Sequence, residues 1–206
     1  MKKIFLALNV LILSFSTQII ADTSSSIQRI FEGNKDAKIT IITYESLTCG
    51  HCADFHKDIY PQLKKEFVDT GLVKIEFRHF PLDMAALNAS KIAQCNNNGK
   101  SDLLHFLFSN QKKWVIGETV ENANENLKKL LKDENILIDF EECTNNKNIE
   151  DYVLNDRIEG VKKFNTSDFP SFLHWAIFEA FNAAISKGKC LNSILTSPVS
   201  INSFFN

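Results

Sequence analysis

Between residues 72 and 80 the chain alternates: Val73, Ile75 and Phe77 fall on one side, Lys74, Glu76 and Arg78 on the other, and Pro81 follows. A period of two predicts a strand with one buried face, and the proline ends it. Residues 38–44 are rich in Ile, Thr and Tyr, and their mixed alternation predicts a strand buried on both faces. Between these two segments Cys52, Phe55, Ile59, Leu63 and Phe67 recur at helical spacing. A helix therefore begins at Cys49-Gly50-His51-Cys52, and Pro61 inside the pattern predicts a kink. Strand, helix and strand in this order predict a parallel pair joined by a right-handed crossover.

Outside this unit the pattern changes. Residues 22–28 form a Ser-rich lead-in, and Gly33, Asn34 and Asp36 mark a turn. From about residue 83 to 163 every signal is helical. Ser101 and Thr119 are candidate N-caps, Leu103, Leu104, Phe106 and Leu107 form one apolar face, and Leu127, Leu130 and Leu131 form another. A helical subdomain is therefore expected as an insertion at about 83–163. Residues 164–181 are again apolar and aromatic, with Pro170 among them, and the segment from Leu191 is rich in Ser and Asn.

Composition narrows the class. The 206 residues are 44% hydrophobic and 23% charged, with 7 Gly and only 4 Pro, as in an ordinary globular chain. The 17 Phe supply core material, and Trp114 and Trp175 are read as core side chains as well. A formal net charge of -2 without a basic stripe excludes nucleic acid as the expected partner, because such binding needs clustered cations.

Lys2 and Lys3 precede an apolar run over residues 4–15, and Ile19 and Ala21 follow, which together read as a signal peptide over residues 1–21 cleaved near Ala21. The run is too short for a membrane span of roughly 18 apolar residues. An uncleaved amino-terminal anchor is the alternative. The mature chain, residues 22–206, would carry 21 basic and 25 acidic residues. Export places its cysteines in an oxidising compartment, where they usually pair.

Five cysteines give the chemistry. Cys49 and Cys52 form a C-x-x-C after a strand and at a helix start, where free N–H groups and the helix dipole stabilise a thiolate on the first sulfur. Cys49 is then the attacking sulfur and Cys52 the resolving thiol. Protonated His51 adds positive charge beside the thiolate, favouring the reduced form and making the disulfide a stronger oxidant. Zinc would need two further ligands, and neither a second C-x-x-C nor an H-x-x-x-H is present, so no metal is expected. His56, His79, His105 and His174 are scattered. A purely structural disulfide remains the other reading of the pair.

The segment 39–67, with YESLTCGHC and its proline-interrupted helix, resembles the exported thiol-disulfide oxidoreductases related to DsbA. The likeness extends over about residues 29–172. It implies an α/β architecture, a thioredoxin fold with an inserted helical subdomain, and an enzyme that oxidises cysteine pairs of newly exported, unfolded or partly folded proteins in the periplasm. Cys49 would form the mixed disulfide and Cys52 would resolve it. The redox group is the protein's own cystine, so no cofactor is needed, and a membrane partner of the DsbB type would restore it. The resemblance also implies a cis-proline loop facing the cysteines, with Pro170 as the candidate and Phe169 before it as a substrate-binding wall.

The chain departs from its relatives at several positions. Many carry a buried acid six residues before the nucleophile, where this chain has Thr43; Glu45 shares that face if the strand continues to it. Relatives commonly have Thr or Val where Phe169 stands, and no glycine follows Pro170 until Gly188. A disulfide isomerase or reductase of the same fold, or a non-catalytic chaperone-like relative with a degenerate carboxyl-terminal half, therefore stays open. Cys95 and Cys143, each followed by Asn-rich turns, either join two helix ends, as a second bond does in some DsbA relatives, or are separate buried thiols. Cys190 is expected to be a free thiol.

Overall fold

The computed structural model describes residues 27–95 and 97–164. The expectations for the signal segment, Phe169, Pro170, Trp175 and Cys190 lie outside the described residues.

Three strands are described: β1 (Ile30–Glu32), β2 (Ile39–Glu45) and β3 (Val73–His79). They form a sheet in the order β1-β3-β2. β2 runs parallel to β3, with Ile39 opposite Val73 and Glu45 opposite His79. β1 runs antiparallel to β3, with Ile30 opposite Phe77. Val73, Ile75 and Phe77 are buried, whereas Lys74, Glu76 and Arg78 between them are half-buried. The last three residues of β2, Thr43, Tyr44 and Glu45, are all buried, so both faces of the sheet are covered there. β1 went unread in the sequence because three residues cannot display a period.

The crossover helix starts as α1 (Gly50–Asp54) and widens into a π-type turn at Phe55–Ile59. It continues as α2 (Tyr60–Leu63), and a second π-type turn follows at Lys64–Val68. Tyr60 N–H donates to the Phe55 carbonyl, five residues back. Pro61 lacks an N–H and its ring collides with the carbonyl four residues earlier, so the disruption it imposes is taken up by the wide turn directly before it.

The helices α3 (Met84–Gln94), α4 (Asp102–Ser109), α5 (Gln111–Trp114), α6 (Val120–Asp133), α7 (Phe140–Asn145) and α8 (Lys147–Phe164) complete the described chain. Thr119 caps α6 by accepting from Asn122 N–H at 3.2 Å. Ser101 precedes α4 but does not cap it, because its hydroxyl donates to Glu32 instead. Leu104, Leu107, Phe108, Trp114, Leu127 and Leu131 join Ile75, Phe77 and Cys52 in one core. Trp114 N–H donates to the Leu107 carbonyl at 3.0 Å, which satisfies the only polar atom of a buried indole. The end of α3 is tied to α7 by a disulfide between Cys95 and Cys143, with Cα atoms 5.8 Å apart.

Candidate active site

β2 delivers the chain to a short loop, and α1 begins immediately after it. Cys49 is the N-cap, with extended backbone (φ -78°, ψ 120°), and its side chain lies at the mouth of the first helical turn. Cys52, one turn on, faces the core and is completely buried, while Cys49 is half-exposed; both are free thiols. The insertion clamps this loop from two sides. Gln111 on α5 donates to the Leu47 carbonyl at 2.8 Å and the Cys49 carbonyl at 3.0 Å. Thr48 donates to Asp83 at 2.7 Å, and Asp83 also caps α3 through Ala86 N–H.

This placement splits the two thiols. The Cys52 thiol donates to the Cys49 sulfur, the backbone N–H groups of Cys52 and His51 point at it, and His51 adds positive charge. Together these outweigh burial and hold the Cys49 thiol down to about 6. The Cys52 thiol is pushed far above the ordinary range by its bond to Cys49, by burial and by the charge of Glu45. One sulfur is therefore an accessible thiolate at neutral pH and the other a buried thiol that keeps its proton.

Glu45 reaches this pair from the last position of β2. Its residue is 3% exposed, and the strand does continue to it, placing it on the same strand face as Thr43. The Thr43 hydroxyl donates to the Glu76 carbonyl at 3.3 Å and offers no acid. Glu45 Oε2 meets His56 Nε2 at 2.8 Å, whereas its Oε1 is buried with no hydrogen-bond partner among the described residues.

His56 and His105, which looked scattered in the sequence, come together. Their Nδ1 atoms lie 2.9 Å apart, and His105 Nε2 continues to Glu32 Oε1 at 2.6 Å. Burial alone would raise the Glu32 carboxyl, but hydrogen bonds from His105 and Ser101 and the charge of His105 hold it well below the usual carboxylate range. His56 stacks on Phe108 at 4.1 Å and His105 on Tyr60 at 4.7 Å, so aromatic rings sheathe the line of polar atoms. The partners stand 11, 49 and 73 residues apart, and no local motif could have joined them. His79 pairs instead with Gln94 at 3.1 Å, and burial lowers its pKa.

Comparison with known proteins places this arrangement. Residues 25–174 match the thioredoxin family. The crystal structure of Wolbachia pipientis alpha-DsbA1 is similar at 30% identity and TM-score 0.60, over 69% of this chain and 72% of that one. A protein-disulfide isomerase from Novosphingobium aromaticivorans superposes at TM-score 0.59 over 69% of this chain and 84% of its own; at 20% identity it speaks for the fold alone. A Rickettsia bellii protein, provisionally named a protein-disulfide oxidoreductase, is 37% identical over 86 residues, which is 41% of this chain and 33% of the relative. The chain thus spans about a third of the length of the curated relatives it matches. The parallel β2-β3 pair around a crossover helix, with helices inserted after β3, is a thioredoxin fold with a helical insertion, and the chain belongs to the DsbA-like part of the thioredoxin family.

Proposed function

We propose that this protein is an exported thiol-disulfide oxidoreductase that introduces disulfides into other exported proteins by exchange through Cys49 and Cys52. The observation that carries the reading is the opposite displacement of two thiols at one helix start: Cys49 half-exposed and held down to about 6, Cys52 buried and pushed up.

In the oxidised protein a substrate thiolate attacks Cys49 Sγ, a bond forms between these sulfurs, the Cys49–Cys52 bond breaks, and Cys52 leaves as a thiolate that takes up a proton. A second substrate thiolate then attacks the substrate sulfur of the mixed disulfide, closing the substrate disulfide and releasing Cys49 as a thiolate. The substrate loses two electrons and the cystine gains them. A good leaving group at Cys49 drives the second step, and stabilising the reduced form makes the pair oxidising. The cystine is the only redox group this chemistry requires.

Lys2, Lys3, the apolar residues 4–15 and Ala21 support export to the periplasm. Substrates are unfolded or partly folded exported chains with cysteine pairs, and a membrane protein of the DsbB type would return the cystine to its oxidised state. Phe169 and Pro170 are assigned to the substrate loop on the family resemblance. The test is the equilibrium of the pair against glutathione, together with two variants. Cys49→Ala should abolish dithiol oxidation, and in Cys52→Ala the Cys49 thiolate, attacking a substrate or glutathione disulfide and expelling one of its sulfurs, should accumulate as a mixed disulfide that no neighbouring thiol resolves. A potential as reducing as that of thioredoxin, about -270 mV, would reverse the direction and make the protein a reductase.

A further inference from the structure

Glu45, His56, His105 and Glu32 form a line of three hydrogen bonds, at 2.8, 2.9 and 2.6 Å. The line crosses a seam of the molecule. Glu45 and Glu32 come from β2 and β1, His56 from the crossover helix and His105 from α4 of the insertion. Among the described residues no three His, Cys, Asp or Glu side chains gather as a metal site. Asn110 alone separates α4 from α5, whose Gln111 holds the Leu47 and Cys49 carbonyls. Resting on the reading of the cysteine loop as the redox site, we propose that the histidine pair is a proton-dependent latch: one shared proton docks α4 on the crossover helix, and its loss frees α4 and, through Gln111, slackens the cysteine loop.

The bonds themselves set the proton count. Each of the three contacts holds one hydrogen, and a neutral imidazole brings only one. Two neutral imidazoles between two carboxylates therefore leave one contact with lone pairs facing each other at 2.9 Å or less, either between the rings or between a ring and a carboxylate. The complete line carries one proton more than these four side chains hold when both rings are neutral and both acids ionised. Glu32 is ionised: although burial opposes its charge, hydrogen bonds from His105 and Ser101 hold its carboxyl well below the usual range. That charge fixes His105 Nε2 as a donor.

Burial gives the missing proton its effect. The Glu45 and His56 side chains are 2% and 5% exposed, and Phe108 and Tyr60 stack on the two imidazoles, so no water replaces a lost bond while α4 stays docked. A buried polar group without a partner favours the arrangement that exposes it. Here that is movement of α4, the one member of the line joined to the others through His105 alone.

Other titratable groups border the line on every side. Cys49 and Cys52 face it from α1, and His79 lies opposite Glu45 on β3, with Asp156 and Arg29 behind it. On the crossover helix burial pushes the Tyr60 hydroxyl far up, and Lys64 lies 3.4 Å from Glu32 while also holding Asp69. Lys91 on α3 is turned to the Thr144 carbonyl and Glu150. The remaining charged side chains of α1, the turn at Phe55–Ile59, α4 and α5 are exposed. None of these groups is hydrogen-bonded to either histidine, so the count belongs to the line alone.

The sign follows from linkage. With α4 open, the two imidazoles are ordinary ones, neutral above about pH 7 and holding two protons between them. The closed line holds three, so opening releases one, and its equilibrium constant should rise by up to about tenfold per pH unit above about pH 7. Glu32→Gln removes this dependence and keeps the bonds. Its amide donates one hydrogen to His105 Nε2 and the other to the Ser101 hydroxyl, His105 Nδ1 donates to His56 Nδ1, and His56 Nε2 donates to Glu45, so neutral rings complete every contact.

The experiment is hydrogen exchange of α4, α5 and the Ala53 amide in the oxidised full chain from about pH 7 to 9, each rate divided by the intrinsic rate at that pH. Ala53 N–H reports on the cysteine loop because it donates to the Cys49 carbonyl at 3.2 Å. The latch belongs to both redox forms, and the oxidised one has no Cys49 thiol to titrate. In the wild type the open fraction should rise at all three places by up to about tenfold per pH unit. Glu32→Gln should stay as closed at the upper pH as at the lower, and His105→Gln should be open at both. A flat wild type, or a Glu32→Gln protein that rises like the wild type, overturns the latch. Exchange that rises in α4 but not at Ala53 overturns its hold on the cysteine loop. Should His105→Gln fail to fold, the wild type against Glu32→Gln decides alone. Retention of dithiol oxidation in Cys49→Ala would instead overturn the redox reading and leave the exchange result standing.

Discussion

Gln111, on a short helix of the insertion, donates its side-chain amide to the carbonyl of Cys49 at 3.0 Å, 62 residues earlier in the chain. The same amide holds the Leu47 carbonyl at 2.8 Å. The cysteine loop is thus fastened by the inserted helices and not by the sheet alone. Ala53 N–H also serves the Cys49 carbonyl, at 3.2 Å, so Leu47 depends on Gln111 more heavily.

Gln111→Ala should leave the buried Leu47 carbonyl without this donor and cost about 1–3 kcal/mol, the penalty of an unsatisfied buried group. Urea unfolding of the oxidised protein would measure it. An unchanged midpoint would show that the loop is held without the clamp.

Cys49 should ionise with a midpoint at about 6 in the reduced protein. Thiolate absorbance or the pH dependence of iodoacetamide alkylation would report it, and a midpoint near the free-cysteine value of about 8.5 would remove the basis of the oxidase reading. Stability follows with a definite sign. Between pH 6 and about 8.5 the unfolded chain holds a proton on Cys49 that the folded chain has lost, so the stability of the reduced protein rises with pH. The contribution is complete above about 8.5 and disappears as pH falls through 6. The oxidised protein has no such thiol, so the stability of the reduced form relative to the oxidised form should be higher at pH 8 than at pH 5.

The pair of thiols was legible in the sequence because its chemistry is local. The C-x-x-C, the strand before it and the helix after it are neighbours, and the alternation through Val73, Ile75 and Phe77 fixed the partner strand. Glu45 was legible in part, since extending the strand by one residue puts it on the Thr43 face. The Glu45-His56-His105-Glu32 line was not legible. It joins two strands and two helices whose approach is set by packing, and β1, which supplies Glu32, is too short to show a period. Ser101 misled for a related reason: a serine before a helix is a good cap, but here a carboxylate from a distant strand competes for its hydroxyl.

Removing the Cys95–Cys143 bond should destabilise the protein by about 4 kcal/mol, because the bond closes a loop of 48 residues and constrains the unfolded chain. The double variant Cys95→Ala/Cys143→Ala tests this by urea unfolding, with dithiol oxidation as a second measurement. Both residues sit at the far end of α3 from the Asp83 contact with the cysteine loop. Activity per folded molecule should therefore persist. Alkylation of both thiols in untreated protein would show that the bond does not form.

Gly160→Ala sets two effects against each other. In a helix interior the exchange normally stabilises by about 1 kcal/mol, because alanine loses less entropy. At this position, on the face of α8 against the sheet, the added Cβ would stand 2.9 Å from Tyr44 Cδ1 and 3.1 Å from Phe80 Cδ2. Neither ring can easily yield. Both are buried and meet edge to face at 6.5 Å, and the Tyr44 hydroxyl accepts from Arg78 at 3.2 Å. Arg78 is itself held by Glu159 on α8. Overpacking of this kind costs about 1–3 kcal/mol, so the collision should outweigh the helix gain and lower the melting temperature by about 2–4 °C for each net kcal/mol lost. Gly50→Ala is the matched contrast: nothing lies within 4 Å of its added Cβ, so only the helix gain remains and stability should hold or rise slightly. Thermal unfolding of the two variants should therefore move in opposite directions, and a Gly160→Ala protein as stable as the parent would show that α8 can draw away from Tyr44 at no cost.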